Sequence, residues 1–414
     1  MRGNRPLKVA FIHAVFPGLT TTFVNREFEF LDRQTDLEVY PISIKRPEKE
    51  LFNEEYKHYA PKTMYLRPDA FLGILMYNLL ALFSRPVKYF NTMRTILLHP
   101  DKYSITDLVK VWFHVCCGIY LSYYLKRQKI EVVHAHFDTA VTMALAAHLF
   151  GHIPFFLTLH ANEMYTGDAI LEVKMQHAAK IITNNRYNQK HINLLTHYKY
   201  QDKINVIYNG LDLEQFEGAW AKTERSNPMR LVSIGSFRGF KGYPTVLTAL
   251  SQLRQQGLAF SYTIIGDGNK DEREMIQHLI KSYGLEEHTI LLGRQPFSRV
   301  RQELEEADLE IMASEIFDRG FRDGFPNVVI EAMLLKRPVV TTYISDIPTL
   351  IKHGETGYLF PEKSASDLAD ILCHLYHHYQ ETLPVVERAY QVAVQTFNAK
   401  INYSTLAQVL RSYP

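Results

Sequence analysis

Short β-branched runs alternate with helical segments along most of the chain, and the pattern starts afresh once, near residue 229. KVAFIH (8–13) reads as a strand, a helical stretch covers about 22–34, and LEVYPI (37–42), EVVHAH (131–136), FFLTLH (155–160), KIITN (180–184) and INVIYNG (204–210) follow as strands. A second series opens with MRLVSIG (229–235) and continues through SYTIIGDG (261–268), HTILLG (288–293), LEIMAS (309–314), PVVTT (338–342) and TGYLF (356–360). Strands that alternate with helices build parallel sheets covered on both faces. A chain of 414 residues exceeds one ordinary core. The expected fold is therefore α/β, with two doubly wound, Rossmann-like domains in tandem. Ligands in such sheets sit beyond the carboxyl ends of the strands, so two facing domains predict a ligand cleft.

The polar stretch 214–228, with Gly218, Ser226 and Pro228, fits a linker between the domains. That gives an N-terminal domain over 1–213 and a second domain from 214. Residues 51–129 break the alternation. They are rich in Tyr, Phe, Leu, Lys and Arg and read as a helical insertion. Two readings stand there: helices packed on the sheet with aromatics at core spacing, or an amphipathic surface that lies on a membrane. No run reaches the roughly 18 apolar residues that would span a bilayer, and no signal peptide is expected.

Three cysteines, two of them adjacent (Cys116, Cys117), exclude a disulfide framework and a cysteine zinc site. They suit a cytoplasmic setting. Net charge is only +2, but residues 1–200 hold 24 Lys and Arg against 17 Asp and Glu, whereas residues 201–414 hold 22 against 27. A basic first half points to an anionic partner such as a membrane surface. Nucleic acid is not expected as a partner.

Four segments carry chemistry. DGFPNVVIEAM (323–333) places Asp323 in a loop and Glu331 about one turn into a helix that begins near Pro326-Asn327. The free N–H groups of Asn327, Val328 and Val329 at that helix start would bind phosphate. GSFRGFKGYPTVLTAL (235–250) follows the second domain's first strand and carries Arg238 and Lys241, cations suited to a diphosphate. In FPGLTTTFV (16–24), Gly18 permits close backbone approach to a ligand, and Thr20 to Thr22 are placed to cap the next helix. TLHANEMY (158–165) puts His160 at a strand end. His134 and His136 share one side of a strand, but no third ligand at convincing spacing accompanies them, so no metal site is expected. GDGNKDE (266–272) reads as a tight turn.

These residues resemble the retaining glycosyltransferases of the GT-B fold, glycosyltransferase family four, also called glycosyl transferases group one. HAHFDTAVTMALAAHLFGHIPFFLTLHANEMY, IYNGLDLEQF and FPGLTTTFVNREFEFL look most like its bacterial exopolysaccharide branch, such as colanic acid biosynthesis glycosyltransferases. The resemblance implies a donor site for a UDP- or GDP-linked sugar, with no other cofactor and no metal. Glu331 would hold the donor ribose, and Asp323, where the family usually has Glu, would face the donor sugar. Phe325, Asn327 and Val328 would line the site. Lys241 would meet the diphosphate, Ser236 stands where the family usually has Arg, and Arg238 lies two residues on. His160 would contact the donor sugar or the reacting centre, Gly18 would approach the diphosphate, and Arg294 would lie beside the base. The last helix, 395–414, would return to the first domain, leaving 214–394 as the nucleotide-sugar domain. The implied activity is sugar transfer to a glycan or lipid-linked acceptor. Two alternatives are a nucleotide-sugar epimerase of the same fold and a non-catalytic nucleotide-sugar-binding subunit.

Overall fold

The computed structural model describes residues 5–18, 22–48, 54–98, 105–160, 170–317 and 322–413. The chain forms two compact units. Unit 1 is Met1–Leu211 with Ala399–Pro414, and unit 2 is Asp212–Asn398.

Unit 1 is built on strands β1 (Leu7–Val15), β2 (Leu37–Lys45), β3 (Met64–Arg67), β4 (Val132–His136), β5 (Phe155–Leu159), β6 (Lys180–Thr183) and β7 (Ile204–Val206). They form one sheet in the order β3-β2-β1-β4-β5-β6-β7, and every neighbouring pair is parallel. Both faces are apolar because helices cover both. Ala10 and Ile12 of β1 point into one core with Val133, Phe155 and Leu157, while Val9 and Phe11 point into the other with Val132, Phe156 and Phe28. This is the two-sided burial that near-continuous apolar strands require.

Its helices are α1 (Thr22–Asp32), α2 (Phe71–Ser84), α3 (Pro86–Leu97), α4 (Ile105–Arg127), α5 (Phe137–Gly151), α6 (Leu171–His177) and α7 (Arg186–Leu195). The segment 51–129 is therefore mostly helical, with one departure. It contains β3, an edge strand of only four residues too short to show a period of two. α4 is the longest of these helices, with 23 residues. By length and composition it could cross a membrane, but Val115, Cys117, Ile119, Leu121 and Leu125 are buried against the unit's own core. Cys116, Cys117 and Cys373 are all free thiols.

Unit 2 is built on β8 (Met229–Ile234), β9 (Phe260–Ile265), β10 (Thr289–Gly293), β11 (Leu309–Met312), β12 (Val339–Thr342) and β13 (Tyr358–Phe360), in the order β10-β9-β8-β11-β12-β13, all parallel. Its helices are α8 (Tyr243–Gln255), α9 (Lys270–Ser282), α10 (Phe297–Glu306), α11 (Asn327–Leu334), α12 (Ile347–Leu350), α13 (Ala365–His377) and α14 (Thr382–Thr396). The strand order steps outward from β8 in one direction and resumes from β8 in the other, so loops diverge at the carboxyl ends of β8 and β11. That divergence makes room for a ligand.

The stretch 214–228 is no free linker. Asp308, fully buried, accepts hydrogen bonds from Ser226 N (3.0 Å) and Arg230 N (2.7 Å) and pairs with Lys222, which ties the stretch to unit 2. After α14 the chain breaks helix at Phe397-Asn398, and α15 (Ala399–Arg411) packs in unit 1. Tyr403, Leu406, Ala407 and Leu410 are its buried face. A Cβ on Gly210 would lie 2.4 Å from Ala399 Cα, so only glycine lets these backbones meet. Gly210 N donates to Tyr403 Oη at 3.1 Å across the same contact.

Candidate functional site

The carboxyl edge of the unit 2 sheet collects the residues expected from sequence. β8 ends at Ile234 and leads into a one-turn 3-10 helix, Gly239–Lys241, before α8. Gly242 sits between them with φ +64, and a Cβ there would fall 1.8 Å from Ala313 O. Glycine is needed on both counts. The tight turn presses Lys241 against the loop that leaves β11. There Lys241 Nζ pairs with Asp323 Oδ2 at 2.8 Å, and Ser314 Oγ donates to the same oxygen at 2.9 Å. Both charged side chains are largely buried, 14% and 18% exposed, so their attraction is screened less than at a surface. Removing one partner alone leaves the other charge partly desolvated and unpaired.

α11 starts at Asn327 with Pro326 as its N-cap. Val329 N already donates to Pro326 O at 3.1 Å, so it is not one of the open donors that the sequence suggested. No hydrogen bond to a described residue occupies the N–H of Asn327 or Val328. These are the orphan donors of the helix start, and the helix dipole adds partial positive charge there. Phe325 stacks at an angle on Phe397, with ring centroids 5.4 Å apart. Val328 is buried, and Glu331 is half-buried on the first turns of α11.

Arg238 and Arg294 lie on the same edge of the sheet, after β8 and β10. Both are exposed. No hydrogen bond joins the Arg238 side chain to a described residue, and Arg294 reaches Asp267 only through its charge. Ser236 is half-buried in the loop after β8. The structure therefore gathers Lys241, Asp323 and the α11 start into one cluster and leaves the two arginines at its margin.

Sequence reading missed one group here. Glu310, in the middle of β11, is fully buried, and neither carboxylate oxygen has a hydrogen-bond partner among the described residues. Burial pushes its pKa up to about 8; the positive charge of Lys241 pulls it down, and the negative charge of Glu331 pushes it further up. Glu310 thus sits within electrostatic reach of two expected site residues. The only sequence signal is a carboxylate in a strand whose other positions are apolar.

The carboxyl edge of the unit 1 sheet carries a second cluster. His160, just past β5, is buried, faces the Phe137 ring at 4.2 Å, and shares a hydrogen bond with His136 (Nε2 to Nδ1, 3.4 Å). His136 Nε2 lies 2.9 Å from Glu27 Oε1, and His134 Nδ1 lies 3.6 Å from the same oxygen. His134 Nε2 meets Thr158 Oγ1 at 2.7 Å. Glu27 reaches inward because it shares α1's buried face with Val24, Phe28 and Leu31. It is the third group that the spacing of His134 and His136 did not reveal. One ligand atom from each of the three lies within 4.8 Å of the others, so together they could hold a metal ion. Burial holds His136 and His160 well below the usual imidazole range, lowers His134 to about 3 and raises Glu27 to about 7. The histidines are therefore neutral. Gly18, past β1, is buried, and its carbonyl accepts from Asn25 Nδ2 at 2.8 Å. Thr20 and Thr21 lie outside the described residues, and Thr22 is the first residue of α1.

With this geometry in view, two family profiles match the chain. Glycosyltransferase Family 4 covers residues 98–215, and Glycosyl transferases group 1 covers 215–392. The chain belongs to the group 1, family 4 glycosyltransferases. The second match holds every unit 2 residue of the site. Among relatives, the chain is 34% identical to the amylovoran biosynthesis glycosyltransferase AmsK of Erwinia amylovora, over 50% of this chain and 51% of that protein. It is 32% identical to WcaL of Escherichia coli (strain K12), named for colanic acid biosynthesis, over 51% and 52%. The chain thus spans about half the length of the curated relatives it matches. Among solved structures, Anabaena Alr3699/HepE in complex with UDP superposes with a TM-score of 0.69 at 16% identity, covering 98% of this chain and all of that one. This likeness establishes the fold, GT-B with two Rossmann-like domains.

Proposed function

We propose that this chain is a retaining glycosyltransferase. It moves a sugar from a UDP- or GDP-linked donor to a hydroxyl of a glycan or lipid-linked acceptor, in bacterial exopolysaccharide, capsule or lipopolysaccharide synthesis. The observation that carries this reading is the Lys241–Asp323–Ser314 contact beside the open N–H groups of Asn327 and Val328. A lysine tied to the loop that leads into a helix start with two unpaired amides supplies the kinds of group that a departing nucleoside diphosphate requires. Family membership, and the exopolysaccharide context of AmsK and WcaL, point to the same reaction. The UDP held by the HepE structure supports a nucleotide donor.

In this reading Lys241 and the two amides offset charge as it develops on the leaving diphosphate. That charge stabilisation aims at the transition state rather than the bound donor. Glu331 accepts from the ribose hydroxyls. Asp323 accepts from a sugar hydroxyl and holds Lys241 in place. Arg238 adds charge at the diphosphate, Arg294 flanks the base, and Phe325 packs beside the sugar. His160 contacts the reacting centre as a neutral imidazole, and Gly18 gives close backbone approach to the diphosphate. The acceptor hydroxyl attacks the anomeric carbon on the face from which the diphosphate departs. The leaving phosphate oxygen takes the acceptor's proton, so configuration is kept and no protein nucleophile is needed. The protein works in the cytoplasm and without a metal ion.

The test is a transfer reaction with UDP- and GDP-sugars and a lipid-linked acceptor in the presence of EDTA, with the product's anomeric configuration read by NMR. An α-linked product from an α-linked donor is expected. An inverted product, an epimerised nucleotide sugar, or activity lost to EDTA each contradicts its part of the proposal.

A further inference from the structure

α2 is apolar on every side: Phe71-Leu-Gly-Ile-Leu-Met-Tyr-Asn-Leu-Leu-Ala-Leu-Phe-Ser84. A helix of that kind normally sits inside a core. Here only one face does. Ile74, Asn78 and Ala81 are buried, one or two turns apart, and Asn78 Nδ2 donates to Cys116 O of α4 at 2.9 Å. Tyr77 packs its ring 5.0 Å from Tyr123 on the same side. The opposite face is Leu72, Leu75, Met76, Leu79, Leu80 and Phe83, at helical spacing i, i+3, i+4, i+7, i+8 and i+11. Each of the six is between 48% and 81% exposed. Val87 and Phe90 of α3 are also exposed, at 74% and 59%. Isolated exposed apolar side chains are ordinary, but a continuous stripe of this length marks a surface that something covers.

The chemistry of the surroundings identifies the occupant. From Phe71 to Leu98 the chain has no Asp or Glu, and its charged residues are Arg85, Lys88 and Arg94. Arg85 and Arg94 are exposed. Asp69, just before this stretch, is paired with Arg46, so the apolar face has an excess of cations along its border, which matches a bilayer surface: acyl chains for the leucines, anionic headgroups for the arginines. A second copy of this chain would bring two positively charged rims together. A buried face that anchors the helix through Asn78, with an opposite face free to enter lipid, is also the arrangement that keeps the helix folded both off and on the membrane.

We propose that the outward face of α2, continued by Val87 and Phe90 of α3, is a membrane-docking surface that inserts into the interfacial region of an anionic bilayer, with Arg85 and Arg94 at the level of the headgroups. The helix lies in the membrane plane and does not span it. Insertion of side chains of this kind reaches about 5–10 Å below the headgroups. Docking through unit 1 would hold the enzyme where a lipid-linked acceptor is found, but the surface itself rests on α2 and α3 and not on the donor chemistry.

The experiment is flotation of the full chain with phosphatidylcholine vesicles, with and without phosphatidylglycerol, comparing wild type, the triple variant Leu72→Glu/Met76→Glu/Phe83→Glu, and the double variant Arg85→Glu/Arg94→Glu. Size-exclusion chromatography with light scattering is run on each, and a thermal melt confirms that each is folded. Wild type is expected to float mainly with phosphatidylglycerol vesicles, the triple variant to fall to the level without vesicles, and the double variant to lose most of its preference for anionic lipid. Glu331→Ala should float like wild type, which separates this proposal from the donor reading. Wild type that stays at the bottom with both vesicles overturns it, as does a folded triple variant that floats equally well. A wild type that does not float but forms a dimer that the triple variant lacks assigns the face to a second copy instead.

Discussion

Lys241 Nζ and Asp323 Oδ2, 82 residues apart in sequence, lie 2.8 Å apart and join the loop after β8 to the loop after β11. Each constrains the other, so their effects on the reaction should be coupled. Lys241→Ala is expected to lower turnover about 10²-fold or more, the usual size for losing one group aimed at developing charge. Asp323→Ala should also lower it. The double variant should fall short of the product of the two single losses, because residues in contact are not additive. Initial rates of donor consumption across the four proteins check this.

The open amides at the start of α11 can be removed one at a time without altering a side-chain charge. Proline is tolerated at the first position of a helix, and Pro326 already has the extended backbone, φ −64 and ψ 132, that a following proline favours. Asn327→Pro therefore deletes one N–H and should leave the fold intact. Donor affinity is expected to fall by about ten- to a hundredfold, in keeping with ~1.5–3 kcal/mol for a hydrogen bond to a charged group. Isothermal titration with the nucleotide diphosphate measures it, with circular dichroism to show that the helix persists.

Glu310 gives unit 2 a pH dependence of known sign. Its folded pKa, pushed up to about 8 by burial, is above the ordinary 4.5. Below about pH 4.5 the group is protonated whether folded or unfolded and costs nothing. As pH rises from there toward 8, the unfolded carboxyl ionises and the buried one does not, so stability declines. Above about 8 the contribution is level. Glu310→Gln removes this slope. Melting temperatures of the two proteins should diverge by several degrees in the variant's favour between about pH 5 and pH 8. Parallel curves would contradict it.

The histidine cluster acts in the opposite direction. His13, buried with its ring 6.4 Å from that of His136, and His134 are held at about 4 and about 3 by burial and stay neutral in the folded chain. Their contribution is present above the ordinary value of 6.5 and is lost as pH falls from there toward 4, where only the unfolded chain takes up protons. Glu27, raised to about 7, opposes this between 4.5 and 7. His134→Gln, which can keep a bond to Thr158, is expected to flatten the acid limb of the stability curve. Chemical denaturation at a series of pH values reads the slope.

Most strands were legible because each is a short apolar run between turn residues, and both doubly wound sheets follow from their alternation with helices. β3 was not, since Met-Tyr-Leu-Arg is too brief to carry a period and lies among helices. The donor loops were legible because Gly242, Pro326 and the charged residues around them are local features. Glu27 and Glu310 were not, because what makes them notable is burial, a property of the packed chain. Glu27 looks like one more charge on α1 until the helix turns it toward His136. Asp308 was hidden in the same way: its grip on Ser226 and Lys222 converts what reads as a linker into part of unit 2. The outward stripe of α2 lay between both readings, since the sequence shows an apolar helix but only the fold shows which face has no neighbour.

The central claim is that the start of α11, with Glu331, binds the nucleotide part of a sugar donor. The most direct measurement is a thermal-shift panel of UDP-, GDP- and ADP-sugars on wild type and on Glu331→Ala. A ligand that binds only the folded state stabilises by mass action, about 2.7 kcal/mol at a hundred times its dissociation constant. One nucleotide class is expected to raise the wild-type melting temperature and to leave Glu331→Ala unshifted at the same concentration. Equal shifts in both proteins, or none in wild type with any donor, would contradict it.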